Sequence, residues 1–147
     1  NSGKVFMIGN WEGDWLMGGK NTGPTENLSE DHIQKMISWL NIRAQAVQDA
    51  KRDTPHDNVA ALFYVEANLV RKARINKVKR LVNSVLPHVK NVDYLSISSY
   101  DIQNISSWDS PHTADSLKNK LYKDLLITIL KLTKKEINQI VNSRSFW

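Results

Sequence analysis

Short apolar runs, rich in branched and aromatic residues, alternate along the chain with longer stretches of helical spacing. Each run ends in polar and acidic side chains, and the runs span Val5–Ile8, Asn58–Val65 and Val92–Ser98. Runs of this composition are typical of strands buried on both faces of a parallel sheet. The pattern therefore predicts three buried parallel strands whose carboxyl ends form one rim.

The most regular helical pattern lies between the first two runs. A polar, glycine-containing stretch from Gly18 to Asn27 predicts a loop, and Ser29 is the expected N-cap of the helix that follows. Lys51 and Arg52 are expected near its end, and Pro55 stops it. The apolar positions of this helix are Ile33, Met36, Ile37, Leu40, Ala44 and Val47.

The later part of the chain continues the alternation of strand and helix. A shorter amphipathic stretch runs from Val78 to Leu86 and ends at Pro87. Beyond a loop over 102–111, apolar residues at fourfold spacing, from Leu117 to Ile129, predict a helix over about 113–132. A capping-box pattern that begins at Thr133 then predicts a separate last helix. The apolar positions of that last helix are Ile137, Ile140 and Val141.

The predicted fold class is α/β, with parallel strands alternating with helices through right-handed crossovers. The chain of 147 residues reads as a single α/β domain over residues 1–147, since no linker or low-complexity stretch divides it. A closed (β/α)₈ barrel has roughly 250 residues, or about 30 per unit. The chain is therefore either a compact three-strand domain or a segment of three to four units of a TIM (β/α)₈ barrel. A segment would expose sheet edges and is expected to self-associate through them.

Composition narrows the possible functions. Apolar residues make up 41% of the chain, enough for a sizeable core, and no cysteine is present. The lack of cysteine excludes disulfides, iron–sulfur clusters and cysteine nucleophiles. No window is apolar and long enough to cross a membrane, so no membrane partner is expected. These features leave the localisation undetermined.

The net charge of +5 is concentrated in one stretch of the chain. Between Arg71 and Lys90 there are several bases and no acid. A solvated basic helix face is the expected structure, and a polyanion-binding surface is the alternative. No aromatic residues interleave with these bases, so nucleic acid is not expected as a partner.

The sequence contains no sign of a cofactor. The four histidines, at positions 32, 56, 88 and 112, lack the spacing of a metal site, so no catalytic metal is predicted. The glycines form neither of the two common nucleotide-binding patterns. We therefore expect no cofactor.

Four segments, taken together and in order, carry a resemblance to a known superfamily. They are Gly9–Trp15, Met36–Asn41, Val65–Val70 and Ser98–Asp101. The set resembles the glycoside-hydrolase-type TIM-barrel proteins. It is most similar to a group in which an Asn-Trp-Glu-Gly-Asp-Trp strand end precedes a Glu-x-Asn-Leu-Val strand end. The resemblance covers about residues 5–101 and implies a barrel whose middle is represented here, acting on carbohydrate.

Cleavage of a glycosidic bond needs two carboxyl groups, roughly 5 Å apart for retention or about 6.5–9.5 Å apart for inversion. The resemblance implies that Glu66 is the general acid/base, because it directly follows an apolar strand. In well-known barrel glycosidases an asparagine precedes this glutamate, whereas Val65 stands there in this chain. Asn10 and Asn68 are candidates for contacts to sugar hydroxyls.

The second carboxylate is harder to identify. In those families the nucleophile lies on a later strand, but every acid after Asp101 falls in a predicted loop or helix. These acids are Asp109, Asp115, Asp124 and Glu136. We therefore expect the nucleophile to be missing and the chain alone to be inactive. Glu12, Asp14 and Asp101 remain alternative partners for Glu66.

Aromatic residues in the predicted loops are candidates for sugar stacking. Trp11, Trp15 and Trp108 follow predicted strands, where an indole face either stacks on a pyranose or packs against protein. Trp39 lies within the long helix and is expected in the core. Tyr100 either directs its hydroxyl towards a carboxylate or caps the barrel.

The candidate acids also have structural interpretations. Glu66 is placed to pair with Arg71 or Lys72 at the end of a strand. Glu12 and Asp14 flank a glycine, where acids often accept hydrogen bonds from loop amides. The sequence leaves both interpretations open.

Overall fold

The structure is a computed structural model that describes residues 3–18, 26–98 and 139–142. The strands are β1 (Lys4–Gly9), β2 (Val59–Ala67), β3 (Tyr94–Ile97) and β4 (Gln139–Asn142), and the α-helices are α1 (Gly13–Leu16), α2 (Glu30–Asp53) and α3 (Val70–Ile75). Between α3 and β3 lie a π-helical turn, Leu81–Val85, and a 3₁₀ turn, Leu86–His88. The loop predicted over 102–111 and the helix predicted over 113–132 lie outside the described residues.

All four strands run parallel, and their spatial order is their order along the chain, β1-β2-β3-β4. In the register, Gly9 lies beside Tyr64 and Glu66 beside Ser96. The predicted α/β class is therefore confirmed. The carboxyl ends of β1, β2 and β3 meet at one edge of the sheet, which we call the carboxyl edge.

Helix α2 forms as its sequence predicts. The Ser29 hydroxyl accepts a hydrogen bond from the His32 backbone amide at 3.2 Å and so caps the first turn. The helix ends at Asp53, two residues before Pro55. Its buried residues follow the predicted apolar positions, and they are Ile33, Met36, Leu40, Ala44 and Val47.

The hydrophobic core lies on one face of the sheet. Phe63, Val65 and Leu95 project into it from β2 and β3, and both α2 and the π-helical turn pack against them. Two successive connections therefore cover the same face, which we call the helix face. Sequential strand order with helices on one face is a singly wound arrangement, unlike the doubly wound sheets that carry helices on both faces. We call the opposite face the inner face.

Strand β1 differs from its prediction. Its four apolar residues, Val5, Phe6, Met7 and Ile8, are between 39% and 62% exposed, so the prediction of a buried strand is wrong for β1. The reason lies in packing. β1 has β2 on one side only, and in the described part of the chain no strand pairs with its other edge. An apolar run indicates a strand, but burial needs elements on both sides.

Two further predictions need correction. Trp39, expected in the core, is 39% exposed, and its ring lies 4.7 Å beneath the Arg43 guanidinium carbon. This cation–π contact stabilises the ring at the surface of α2. The region of Ile140 and Val141, expected in a last helix, is strand β4. Both residues are β-branched, and pairing with β3 satisfies a ladder of backbone groups that a short helix would not.

The stretch from Val78 to Leu86 also departs from regular structure. It contains an extended segment followed by the π-helical and 3₁₀ turns, and Pro87 lies inside the 3₁₀ turn rather than ending a helix. Helix α3, just after β2, was not predicted. Its six residues are too few to show a helical period in the sequence.

Candidate functional site at the carboxyl edge

Asn10 extends the pairing of β1 with β2 by one further step. Its side-chain oxygen accepts a hydrogen bond from the Glu66 amide at 3.1 Å, and its side-chain nitrogen donates to the Glu66 carbonyl at 3.3 Å. This pair of bonds imitates a peptide group where the β1 backbone turns away. Asn10 and Glu66 therefore meet at the rim predicted for the strand ends, but Asn10 contacts the backbone of Glu66.

Asp14 connects three segments of the chain. Its carboxylate accepts hydrogen bonds from the amides of Asn68 at 3.0 Å, Leu69 at 3.2 Å and Leu81 at 2.8 Å. In return, the Asn68 side-chain oxygen accepts from the Asp14 amide at 3.0 Å. Asp14 thus ties the end of β1 to the end of β2 and to the start of the π-helical turn.

The environment of Asp14 is that of a buried acceptor for backbone amides. Its side chain is fully buried, and burial raises the pKa of the carboxyl group, while the amides of Leu81, Asn68 and Leu69 and the charge of Arg80 oppose that rise. Both oxygens are engaged with backbone amides. For Asp14 the interpretation as an acceptor for loop amides therefore matches the structure.

The residues between Asn10 and Asp14 are shaped by close packing. Glu12 is buried and adopts a left-handed backbone conformation, with φ of 47°. At Gly13 an added Cβ would lie 2.7 Å from the carbonyl oxygen of Glu66 and would also overlap the Leu81 side chain. Only glycine fits there. The Asn-Trp-Glu-Gly-Asp sequence is thus a compact junction that holds the carboxyl edge together.

Glu66 lies inside β2, which extends to Ala67, rather than just after it. Its side chain is 4% exposed. The hydroxyl of Ser98, directly after β3, donates a close hydrogen bond to the Glu66 carboxylate. This contact fixes one carboxylate oxygen of Glu66 towards the neighbouring strand.

Tyr64 shares the inner face with Glu66, since the two residues are two positions apart on β2. Burial raises the pKa of the Tyr64 hydroxyl, and the negative charge of Glu66 raises it further, while Arg43 lowers it. Gly9 makes this position possible, because a Cβ on Gly9 would overlap the Tyr64 ring and carbonyl. The Arg43 guanidinium donates to the Gly9 carbonyl at 2.9 Å and so fastens α2 to the end of β1.

The remaining predicted site residues differ in their exposure to solvent. Trp11, next to Asn10, is 71% exposed, whereas Trp15 is half-buried within α1. Asn68 is fully buried, and its side-chain nitrogen has no hydrogen-bond partner among the described residues. The other predicted residues lie outside the described residues, and they are Tyr100, Asp101 and Trp108.

The basic stretch is not one solvated helix face, contrary to the prediction. Arg80 is completely buried and donates to the backbone carbonyls of Glu26 and Lys79. Lys79 forms an ion pair with Glu30 at 2.7 Å. The stretch is divided between helix, extended backbone and turns, so its charges do not line a single surface.

A separate cleft of about 470 Å³ lies between α1 and the first turns of α2. Its lining residues are Leu16, Met17, His32, Lys35, Met36 and Trp39, none of which is a predicted site residue. Over residues 3–18 and 26–98 we find no group of acids and histidines arranged to hold a metal ion. The helices within those ranges include none with the length and apolar character needed to span a bilayer.

Comparison with protein-family models, with curated proteins and with solved structures finds no match for this chain. Any functional assignment therefore depends on the geometry of the carboxyl edge.

Two residues of this edge were not predicted as site residues. Ser98 lies within a segment that carried the resemblance, and Tyr64 lies two positions before Glu66. The period of two in a strand would have placed Tyr64 beside Glu66. The approach of Ser98 depends on the register between β2 and β3, which sequence alone does not supply.

Proposed function

We propose that this chain is a glycoside-hydrolase-like segment of a (β/α)₈ barrel and acts on carbohydrate at its carboxyl edge, with Glu66 as general acid/base. The observation that carries the proposal is the position of Glu66. It is an almost fully buried carboxylate on the inner face, at the carboxyl end of β2, the strand between β1 and β3. Parallel α/β enzymes place their catalytic groups at this end.

The surroundings of Glu66 support this role. A hydrogen bond from Ser98 orients the carboxylate, and two hydrogen bonds between the Asn10 side chain and the Glu66 backbone, one donated by each residue, hold that backbone in place. A general acid must be held within reach of the leaving oxygen, and such fixed partners provide that orientation. The singly wound strand order favours a barrel, because a barrel closes over an inner face that carries no helices.

Trp11 supports carbohydrate as the ligand class. Its indole is 71% exposed one residue after Asn10, at the same edge as Glu66. An exposed indole offers a flat apolar surface with an N–H donor, which suits the face of a pyranose ring. The same observation favours a second candidate function, a carbohydrate-binding domain without turnover.

The test is the isosteric substitution Glu66→Gln, assayed with a panel of 4-methylumbelliferyl α- and β-glycosides. In the full-length protein, which would supply the remaining strands of the proposed barrel, we expect release of the fluorophore from at least one substrate, and we expect Glu66→Gln to lower kcat by about 10²–10⁴-fold. The matched control is Asp49→Asn, an acid on α2 whose ion pair with Arg52 lies at the surface. This control should keep wild-type activity.

Two outcomes separate the candidate functions. Hydrolysis at an unchanged rate in Glu66→Gln would contradict the catalytic role of Glu66. Absence of turnover in the wild type, together with quenching of tryptophan fluorescence by oligosaccharides that disappears in Trp11→Ala, would instead establish the binding domain.

A further inference from the structure

The cleft between α1 and the first turns of α2 has a buried base and exposed sides. Met17 and Met36 form the base, since they are 2% and 7% exposed, whereas Leu16 and Trp39 are 58% and 39% exposed. The volume of about 470 Å³ lies within the range of roughly 300–1,000 Å³ that is typical of small-molecule sites. The cleft is therefore large enough for a small ligand and is open to solvent.

Helix α2 contributes most of the residues that line this cleft. His32, Lys35, Met36 and Trp39 follow the helical spacing i, i+3, i+4 and i+7, so they share one side of the helix. His32 and Lys35 are exposed, and they bring nitrogen groups to the rim. One side of α2 thus presents an apolar surface that is bordered by two basic side chains.

The aromatic side of the cleft is held in position by contacts outside it. The Arg43 guanidinium carbon lies 4.7 Å from the centre of the Trp39 ring, and the same guanidinium donates to the Gly9 carbonyl at 2.9 Å. Trp39 is therefore connected through Arg43 to the end of β1. A ring that is already fixed lowers the entropic cost of binding a ligand against it.

The lining residues indicate the class of ligand. Leu16, Met17, Met36 and Trp39 are apolar, and methionine sulfur atoms make favourable contacts with aromatic rings. Of the described residues that line the cleft, the titratable ones are both bases and none is an acid. An aromatic body with one anionic group complements this combination of surface and charge.

We propose that this cleft binds a small aromatic carboxylate, with its ring against Trp39 and the methionines and its carboxylate at Lys35 and His32. The site is separate from the carboxyl edge and involves no part of Glu66. The proposal therefore goes beyond the proposed function and does not depend on it.

Lys35 has a partner in the free chain, which gives the proposal a directional consequence. Its ammonium group forms an ion pair with Asp31 at 2.6 Å, and the two side chains are 73% and 63% exposed. Exposed pairs of this kind contribute little to stability, so a ligand carboxylate can share or replace the partner. Asp31 then competes with the ligand for Lys35.

The first test compares 2-naphthoate with its uncharged analogue 2-naphthamide by isothermal titration calorimetry of the full chain. We expect 2-naphthoate to bind with a Kd below about 1 mM and 2-naphthamide to bind roughly threefold more weakly or worse. Lys35→Met should reduce the affinity for 2-naphthoate to that for 2-naphthamide. Asp31→Asn should raise the affinity for 2-naphthoate by roughly two- to threefold and leave that for 2-naphthamide unchanged.

The second test locates the site with substitutions on both helices. Trp39→Ala should weaken binding of both probes by roughly tenfold, and Leu16→Ala, on α1, should weaken it by roughly threefold. The matched control is Ile42→Ala, which changes an exposed apolar residue of α2 outside the cleft and should leave both affinities unchanged. All three side chains are exposed, so each variant should keep the circular dichroism spectrum of the wild type.

Three results would overturn the proposal. They are no binding of 2-naphthoate at concentrations up to about 10 mM, equal affinity for the two probes, and unchanged affinity in both Trp39→Ala and Leu16→Ala. Calorimetry reads binding without turnover, so the outcome at this cleft and the outcome of the Glu66→Gln assay are obtained independently.

Discussion

Strands β1 and β2 are neighbours, are paired residue by residue, and have similarly apolar sequences, yet their environments are opposite. Phe63 of β2 is completely buried, whereas Phe6 of β1 is 54% exposed. β2 lies between two strands and beneath α2 and the π-helical turn, whereas within the described sheet β1 has a strand on one side only. Neighbouring elements, more than sequence, decide what an apolar strand contributes to stability.

At the carboxyl edge, side-chain hydrogen bonds join the two strands. There Asn10 and Asp14, from the β1 side, bind backbone groups at the end of β2. The exposed strand is thus fastened at the end that carries the candidate site. This junction explains why an edge strand of the described sheet keeps a fixed position beside Glu66.

The two strands are expected to differ most in how far the free energy of unfolding falls when an aromatic ring is removed from each. Phe63→Ala should lower the free energy of unfolding by about 3–5 kcal/mol, because it opens a cavity in the core. Phe6→Ala, the matched control on β1, should lower it by less than about 1 kcal/mol. Urea denaturation measures both values. Equal losses would show that β1 is as buried as β2.

A smaller loss of stability is expected from removing the carboxylate that joins β1 to β2 at the carboxyl edge. Asp14→Ala leaves three buried amides without their acceptor, so the free energy of unfolding should fall by about 3 kcal/mol. Asp31→Ala is the control, because Asp31 forms an exposed ion pair with Lys35 and should change stability by less than about 0.5 kcal/mol. Thermal unfolding followed by circular dichroism compares them. A similar loss in both variants would contradict the role of Asp14 as the fastening residue.

The smallest expected effect concerns the charge of Glu66 beside Tyr64. The pKa of Tyr64 is raised above its ordinary 10.0 by burial and then by Glu66, so Glu66→Gln should lower it towards that value. The contribution of neutral Tyr64 to stability is present below pH 10.0 and is lost as pH rises through the raised pKa. Phenolate absorbance, with Tyr64→Phe to identify the signal, measures the shift. An unchanged titration in Glu66→Gln would place the Glu66 charge away from Tyr64.

Local patterns predicted part of the molecule well. Helix α2, its Ser29 cap and its buried positions follow from helical spacing and from capping chemistry, both of which act within a few residues. The two apolar runs after Pro55 predicted strands close to β2 and β3. The candidate site was predicted in part, because Asn10 and Glu66 do meet, although through the backbone of Glu66.

Other features required the assembled sheet. The β-branched residues Ile140 and Val141 favour a strand only weakly, and pairing with β3 decides the outcome. The burial of Arg80 depends on carbonyl acceptors from Glu26 and Lys79. Ser98 reaches Glu66 because of the β2–β3 register.

The sequence by itself determined the kinds of element and the polar residues that follow them, since turn chemistry, capping and hydrophobic period are short-range effects. The tertiary structure alone decided which apolar strand is buried, which acid accepts backbone amides and which acid remains on the inner face. Those outcomes depend on contacts between residues about 30 to 70 positions apart, and the free energy of such contacts exists only once the chain has packed.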